Sequence, residues 1–447
     1  MSKSLYKILL FFHKEHKPYF SQILILNLGI GIATQEEFLN HLFTCRADAM
    51  QANIKNQIVG KVSMQQALDY NLVDKCIWFR EKLSKLRISF YEDTLTLVLS
   101  RDNAMMETLN QFSTVDALNL HKDIKIFFID EEARDAGGVI REWISVISEE
   151  LLKPEEKNFE LVQNEDDVFY TIHPESTFDS LHFAGQIFGK AIFEGVSIDC
   201  KLSRLLLHKM LGIEADLEEF KKYDPMLYSS LNYMNNDDVN VEDLCMNFTI
   251  MDSGKTIELK PNGSEIALTN ENKAEYIRLT IDHYTSMRAP DQTYAFISAF
   301  KSVIPHEYME VFTIDQLEQV FFGQLEISTE DWKNNTFYKG KYMGSQHQVV
   351  DWFWEIVAGL DNDQKRKFLQ FCTGSKSLPI EGFKGLKGQK KQPCKFSIES
   401  VSLRKSQFPR AHTCFNSLEL PLYNTKQELQ NGIDFVLSQT EFHFGLE

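Results

Sequence analysis

A chain of 447 residues exceeds the size at which single hydrophobic cores usually divide, so two or three lobes are expected, each able to bury a core of its own. Hydrophobic content of 43% and charged content of 25% are ordinary for a folded globular protein, while a net charge of −17 excludes the broad basic face of a general nucleic-acid binder. The seven cysteines (45, 76, 200, 245, 372, 394 and 414) are scattered and form no CxxC pair, which argues against a disulfide framework or a zinc site and fits a reducing, cytoplasmic or nuclear, compartment.

Near the N-terminus a short apolar run, Leu9 to Phe12, is interrupted by Lys14 and by His16 and Lys17, without the small-residue cleavage pattern of a secretory signal. The run Ile23 to Ile32 is about ten residues, against the roughly 20 that a bilayer requires. Both read as core-facing segments, and no membrane span is expected. Glu36 to Phe43 has helical patterning, but residues 1–73 carry no motif and are an extension of unknown role, with no WW, C2 or other recruiting domain visible. Over Asp74 to Leu86, the apolar residues Ile77, Trp78, Phe79, Leu83 and Leu86 recur at helical spacing opposite a charged face.

Residues 123–129 (DIKIFFI) predict a strand. A helix is expected from Val139 to Leu152, ended by Pro154, and further helices over Ser180 to Phe193 and Leu202 to Leu211, the last with Gly212 as its C-cap. Short strands follow near Phe248 to Met251 and Thr256 to Lys260. The polar stretch 336–342, with Tyr338 and Gly340, breaks the helical pattern and reads as a domain boundary, either a surface loop or a hinge. Beyond it come helices over Gln348 to Leu360 and Asn362 to Cys372, strands over Cys394 to Ile398 and His412 to Phe415, and a last helix from Thr425 to Ser438.

Cys414 stands in the run Phe408-Pro409-Arg410-Ala411-His412-Thr413-Cys414-Phe415-Asn416, 33 residues before the end of the sequence. Polar and electropositive neighbours favour a thiolate, the nucleophilic form of sulfur. On local chemistry alone both a reactive thiol and an ordinary free thiol at a strand edge stay open. The DAGG run at 135–138 lacks the GK[ST] of a phosphate loop and the Rossmann glycine spacing. It reads as a tight turn, with Arg141 and Glu142 as a supporting ion pair.

Seven stretches in order resemble the catalytic domain of the HECT-type ubiquitin ligases, closest to the WW-domain-containing branch. They are DAGGVIREW (135–143), LHFAGQIFGKAIFEGVSIDC (181–200), DPMLYSSL (224–231), ELKPNGSEIALTNENKAEYIRL (258–279), HQVVDWFWEIV (347–357), QKRKFLQFCTGSKSLPIEGF (364–383) and PRAHTCFNSLELPLY (409–423). Phe408 stands where the family usually has leucine, Glu131 to Arg134 varies a glycine-containing run, and Asn247 to Ile257 is shorter than in many relatives.

The resemblance implies an α+β, bilobal fold: a mostly helical N-lobe (74–335) that docks a ubiquitin-conjugating enzyme, a flexible hinge (336–342, with Tyr338 and Gly340), and a small α/β C-lobe (343–447). It implies that Cys414 accepts ubiquitin as a thioester and passes it to a lysine of a protein substrate. His412 then either tunes the thiolate or serves as a structural hydrogen-bonding group, Thr413 positions the site, and Phe444 anchors the tail for transfer, with Glu447 orienting the incoming lysine. Leu231, Tyr233, Met234, Phe248 and Phe300 are expected to line the conjugating-enzyme groove, and Tyr228 and Phe353 a second ubiquitin site. No metal or organic cofactor is implied. The rival readings are a non-catalytic adaptor that binds ubiquitin or the conjugating enzyme and, less supported, a cysteine hydrolase, for which no separate His and Asn/Asp motif is present.

Overall fold

The computed structural model describes residues 62–88, 94–129, 138–164, 167–324, 326–344, 347–388, 392–404 and 406–438, and of Cys414 the backbone. The expected helix at Glu36 to Phe43 and the tail residues Phe444 and Glu447 lie outside the described residues.

A parallel strand pair, Thr94–Leu99 with Asp123–Phe128, runs in register from Thr94↔Asp123 to Leu99↔Phe128. Alternation sends Leu97, Leu99, Ile124, Ile126 and Phe128 inward. Against the pair packs the Gly138–Leu151 helix, whose Trp143, Ile144, Ile147 and Leu151 are buried at helical spacing. The Trp143 indole donates to Thr108 Oγ1 at 3.1 Å, so the largest ring of this layer enters the core with its polar atom satisfied.

The centre of this first core is a helix pair, Phe178–Glu194 beside Pro290–Val303. Gly185 and Gly189 make the close approach possible: a Cβ on Gly185 would stand 2.2 Å from the Phe296 carbonyl oxygen, and one on Gly189 2.9 Å from Val303 Cβ. Phe188 packs edge-on against Phe296 and stacks on Phe159. The fully buried Lys190 is neutralised one turn on by Glu194 (2.6 Å) and donates to the Lys122 carbonyl.

A satellite cluster is formed by the helices Leu217–Tyr223, Pro225–Asn235 and Lys273–Asp282 around Phe220, Leu231, Met234, Phe248 and Tyr276. Its hairpin, Thr249–Asp252 with Lys255–Glu258, turns at Ser253 and Gly254, both at positive φ (50° and 75°), the two-residue turn whose twist suits paired strands. Arg204 ties the satellite to the first core, reaching Glu219 at 2.8 Å and Glu318 at 2.8 Å.

The second core begins at Ile327 and Trp332 and ends at Val436. Its four-stranded sheet has the order Phe337–Lys339, Ser397–Val401, Ser417–Pro421, Arg410–His412, with parallel pairing except for the last, antiparallel pair. The helices Gln348–Gly359, Asn362–Thr373 and Lys426–Ser438 cover it. The architecture is the expected α+β one.

The connection between the cores is elsewhere than expected. Residues 337–339 are the edge strand of the second sheet. Tyr338 accepts the Trp354 indole N–H at 2.8 Å, Lys341 N–H donates to Ser400 Oγ, and the fully buried Tyr342 donates to the carbonyls of Leu420 and Pro421. A stretch held at so many points belongs to the second core and does not pivot beside it. The first core's last helix, Ile314–Phe322, stops at Gly323, whose φ of 68° and ψ of −166° suit glycine almost alone, so the chain leaves the first core at Gly323.

Candidate active site

The antiparallel pair Arg410–His412 and Ser417–Pro421 is closed by a single 3₁₀ turn, Thr413–Phe415, with Cys414 at its middle. Cys414 therefore does not continue the strand, and the rule that residues two apart share a face does not carry from His412 to it. Asn416 ends the turn in the left-handed conformation (φ 47°), which asparagine tolerates better than most residues. It is fully buried. Its side-chain amide donates to the carbonyls of Cys394 (2.9 Å) and Lys387 (3.1 Å), its N–H donates to Thr413 O, and its own carbonyl accepts Ser397 N–H. Asn416 thus pins the cysteine turn to the sheet and to the 387–394 loop, a structural task.

His412 faces the Glu419 carboxylate across the strand pair at 3.5 Å, which holds the ring against the sheet. Thr413 lies beside the C-cap Gly374, the closing residue of the Asn362–Thr373 helix. Phe415 is half exposed next to Cys414.

One helix of the first core meets this turn. Arg141, Ser145 and Glu149 recur every four residues along the Gly138–Leu151 helix and so share one face. The Arg141 guanidinium donates to the Thr413 carbonyl at 3.2 Å and reaches the Lys387 carbonyl at 3.5 Å. Ser145 accepts Gln370 Nε2 at 3.4 Å and donates to Asp199. Glu149 pairs with Lys376. Beside them Gln324 and Leu378 exchange backbone hydrogen bonds of 2.8 and 3.1 Å.

Of the other described cysteines, burial pushes the Cys76 thiol up to about 12 and raises those of Cys200, Cys372 and Cys394, which disfavours the thiolate at each. Cys245 is exposed at the end of a 3₁₀ turn in the satellite. Among the described residues no group of three or more His, Cys, Asp or Glu could hold a metal ion, and no helix is long and apolar enough to cross a membrane.

The sequence model of the HECT-domain (ubiquitin-transferase) family matches residues 145–447, which takes in the cysteine turn and the whole second core. The chain belongs to the HECT-domain family. Similar proteins include the E3 ubiquitin-protein ligase ptr1 of Schizosaccharomyces pombe, 31% identical over 361 residues, or 78% of this chain and 11% of that protein. The TOM1-like E3 ubiquitin-protein ligase of Neurospora crassa is 32% identical over 376 residues (81% of this chain, 9% of that protein). The mouse E3 ubiquitin-protein ligase HUWE1 is 30% identical over 390 residues (85% and 9%). The chain thus spans about a tenth of the length of these relatives.

Within this HECT domain the expected groove residues do not line a surface together. Leu231 and Phe248 are fully buried and Met234 nearly so, all three in the satellite core. Phe300 lies in the first core, 5.3 Å from the Phe321 ring. Tyr233 alone of the set is exposed, at 59%, and shares the outer face of its helix with Met226, seven residues earlier. The second ubiquitin site fares the same way. Tyr228 is half-buried on the satellite with its hydroxyl on Glu218, whereas Phe353 is fully buried in the second core, so the two do not form one surface. The physical reason is common to all: an apolar residue at helical spacing serves a core as readily as a patch, and here the cores took them.

The residue that sequence reasoning placed least well is Arg141. Glu142 pairs with Arg101 at 2.6 Å, and Arg141, about 100° around the helix, turns to the second core. The polar residues 141, 145 and 149, spaced four apart on one helix, were the available signal.

Proposed function

We propose that the chain is a ubiquitin ligase that accepts ubiquitin from a conjugating enzyme as a thioester on Cys414 and transfers it to a lysine of a protein substrate. The observation that supports this most is the cysteine turn itself: Cys414 at the centre of a tight turn that buried Asn416 holds at four hydrogen bonds, within a chain of the HECT family. Loading exchanges one thioester for another. The Cys414 thiolate attacks the ubiquitin carbonyl carbon, and the bond to the conjugating enzyme's sulfur breaks with departure of its thiolate. Donor and product are chemically alike, so the step depends on alignment more than on a strong base. In transfer the lysine amine attacks the same carbon, loses a proton, and the Cys414 thiolate leaves as the amide forms.

Gly323 marks the pivot between the cores in this reading, the outer face bearing Tyr233 and Met226 receives the conjugating enzyme, and Phe444 anchors the tail during transfer. Three cysteines of this ligase (76, 200 and 372) are buried free thiols, which suits a reducing cytoplasmic setting. Incubation with activating enzyme, conjugating enzyme, ATP and ubiquitin tests the proposal. An adduct that reductant removes and that is lost in Cys414→Ala is expected, and deletion of residues 444–447 should spare it while blocking lysine modification. An adduct that persists in Cys414→Ala refutes the nucleophile; binding of ubiquitin or conjugating enzyme with no adduct makes the protein an adaptor.

A further inference from the structure

Arg141 and Asn416 converge on the same two acceptors. Asn416 bonds the Thr413 carbonyl through its backbone N–H (3.2 Å) and the Lys387 carbonyl through its side chain (3.1 Å); Arg141 comes to those same oxygens from the other core, at 3.2 and 3.5 Å. Each carbonyl oxygen has two lone pairs, so the two donors add to one another. The planar guanidinium fork suits two fixed acceptors, which a lysine ammonium, a compact point charge on a flexible stem, cannot engage as one rigid unit. The Thr413 carbonyl carbon is bonded to the Cys414 nitrogen, so the charge sits one peptide unit from the reacting residue. The rest of the stripe, Ser145 with Gln370 and Glu149 with Lys376, fixes the helix against the second core and so holds Arg141 at this height.

We propose that Arg141 is a positioning residue for Cys414: it clamps the cysteine turn when the two cores are docked and supplies the positive charge that favours the Cys414 thiolate, both as attacking group and as leaving group in transfer to an amine. The transfer part rests on the ligase reading above; the thiolate part does not. In transfer the amine nitrogen bonds to the thioester carbon, the carbon–sulfur bond breaks, its electron pair stays on Cys414, and the amine's proton goes to solvent or to the thiolate. A cation held on the peptide carbonyl that joins Thr413 to Cys414 lowers the energy of that departing charge.

Two measurements on the full chain test it, using Arg141→Ala, Arg141→Lys and the unmodified protein. In the first, iodoacetamide alkylation of Cys414 is followed by peptide mass spectrometry from pH 6 to 9. Arg141→Ala is expected to raise the apparent thiol pKa by about half a unit to one unit, and so to slow the reaction several-fold at pH 7, with Arg141→Lys between the two. In the second, chains preloaded with ubiquitin are chased with free lysine after the activating enzyme is quenched. Discharge from Arg141→Ala should be about tenfold slower, with substantial rescue by lysine and an unchanged melting temperature. Equal alkylation profiles in all three proteins overturn the proposal, as does Arg141→Ala discharging at the unmodified rate. Failure of the unmodified protein to load at all would count against the ligase reading, and the alkylation profile would still decide Arg141. If Arg141→Ala melts early, the Arg141→Lys profile decides: a pKa no different from that of the unmodified protein, with unimpaired discharge, sinks the two-point clamp.

Discussion

Asp199 of the first core accepts the backbone N–H of Lys376 of the second at 3.2 Å, and its other carboxylate oxygen takes the Ser145 hydroxyl at 3.1 Å. Removal from water holds this carboxyl above the usual range, although Lys376 and Ser145 pull the other way. The folded state therefore binds the proton more tightly than the unfolded one. The penalty for ionised Asp199 is full above its folded pKa and fades as pH falls through that value towards the ordinary carboxylate range. Asp199→Asn keeps an oxygen for Lys376 and removes the titrating group. Melting curves from pH 8 to 5 should show the variant's advantage over the unmodified protein largest at neutral pH and shrinking on acidification; a difference that does not vary with pH would refute this assignment.

Gly323 stands at the crossing between the cores with positive φ, and a Cβ there would lie 2.4 Å from the Leu378 carbonyl oxygen and 2.9 Å from Ser197 Oγ. Gly323→Ala should lose about 1–3 kcal/mol from strain alone. The close approach to Leu378 directs that loss at the junction, so limited proteolysis should cut the variant beside Gly323 sooner than the unmodified chain. Unchanged cleavage and melting would show that the crossing tolerates a side chain.

Tyr342 gives one hydroxyl to two carbonyls inside the second core. Tyr342→Phe leaves both without that donor and should lower stability by about 1–2 kcal/mol in urea unfolding. A flexible hinge at 336–342 would instead leave the midpoint where it was.

Leu231 and Tyr233 lie on one helix with opposite fates, fully buried and 59% exposed. Leu231→Ala should cost about 2–5 kcal/mol, whereas Tyr233→Ala should stay within about 0.5 kcal/mol in stability. Only the second is expected to weaken acceptance of ubiquitin from the conjugating enzyme at unchanged melting temperature, read as a higher concentration of that enzyme for half-maximal loading. Normal loading in Tyr233→Ala would move the docking surface elsewhere.

The regular elements that were legible have local signals. The Leu72–Leu86 helix shows its apolar face within one window, Gly212 ends the Arg204–Leu211 helix in the left-handed conformation as a glycine there should, and 123–128 reads as a strand from its β-branched and aromatic run. The strand Phe337–Lys339 was missed for the opposite reason. It is three residues long and its partner starts at Ser397, sixty positions on, so its only strong signal is a pairing that no window contains. Gly340 and its polar neighbours then looked like a loop between lobes. The groove residues failed differently: their apolar character was read correctly, but burial is a property of what packs around them.

The sequence by itself determined several of the helices, the family, and the place of Cys414 between His412 and Asn416, since motif, periodicity and turn chemistry are carried by neighbouring residues. Only the tertiary structure decided that the chain leaves the first core at Gly323, that Phe353, Leu231 and Phe248 are enclosed, and that Arg141 faces the Thr413 carbonyl 272 positions away. Those outcomes depend on which surfaces meet when two cores dock. A residue's type limits what it can do there, and its partners, brought from far along the chain, select which of those things it does.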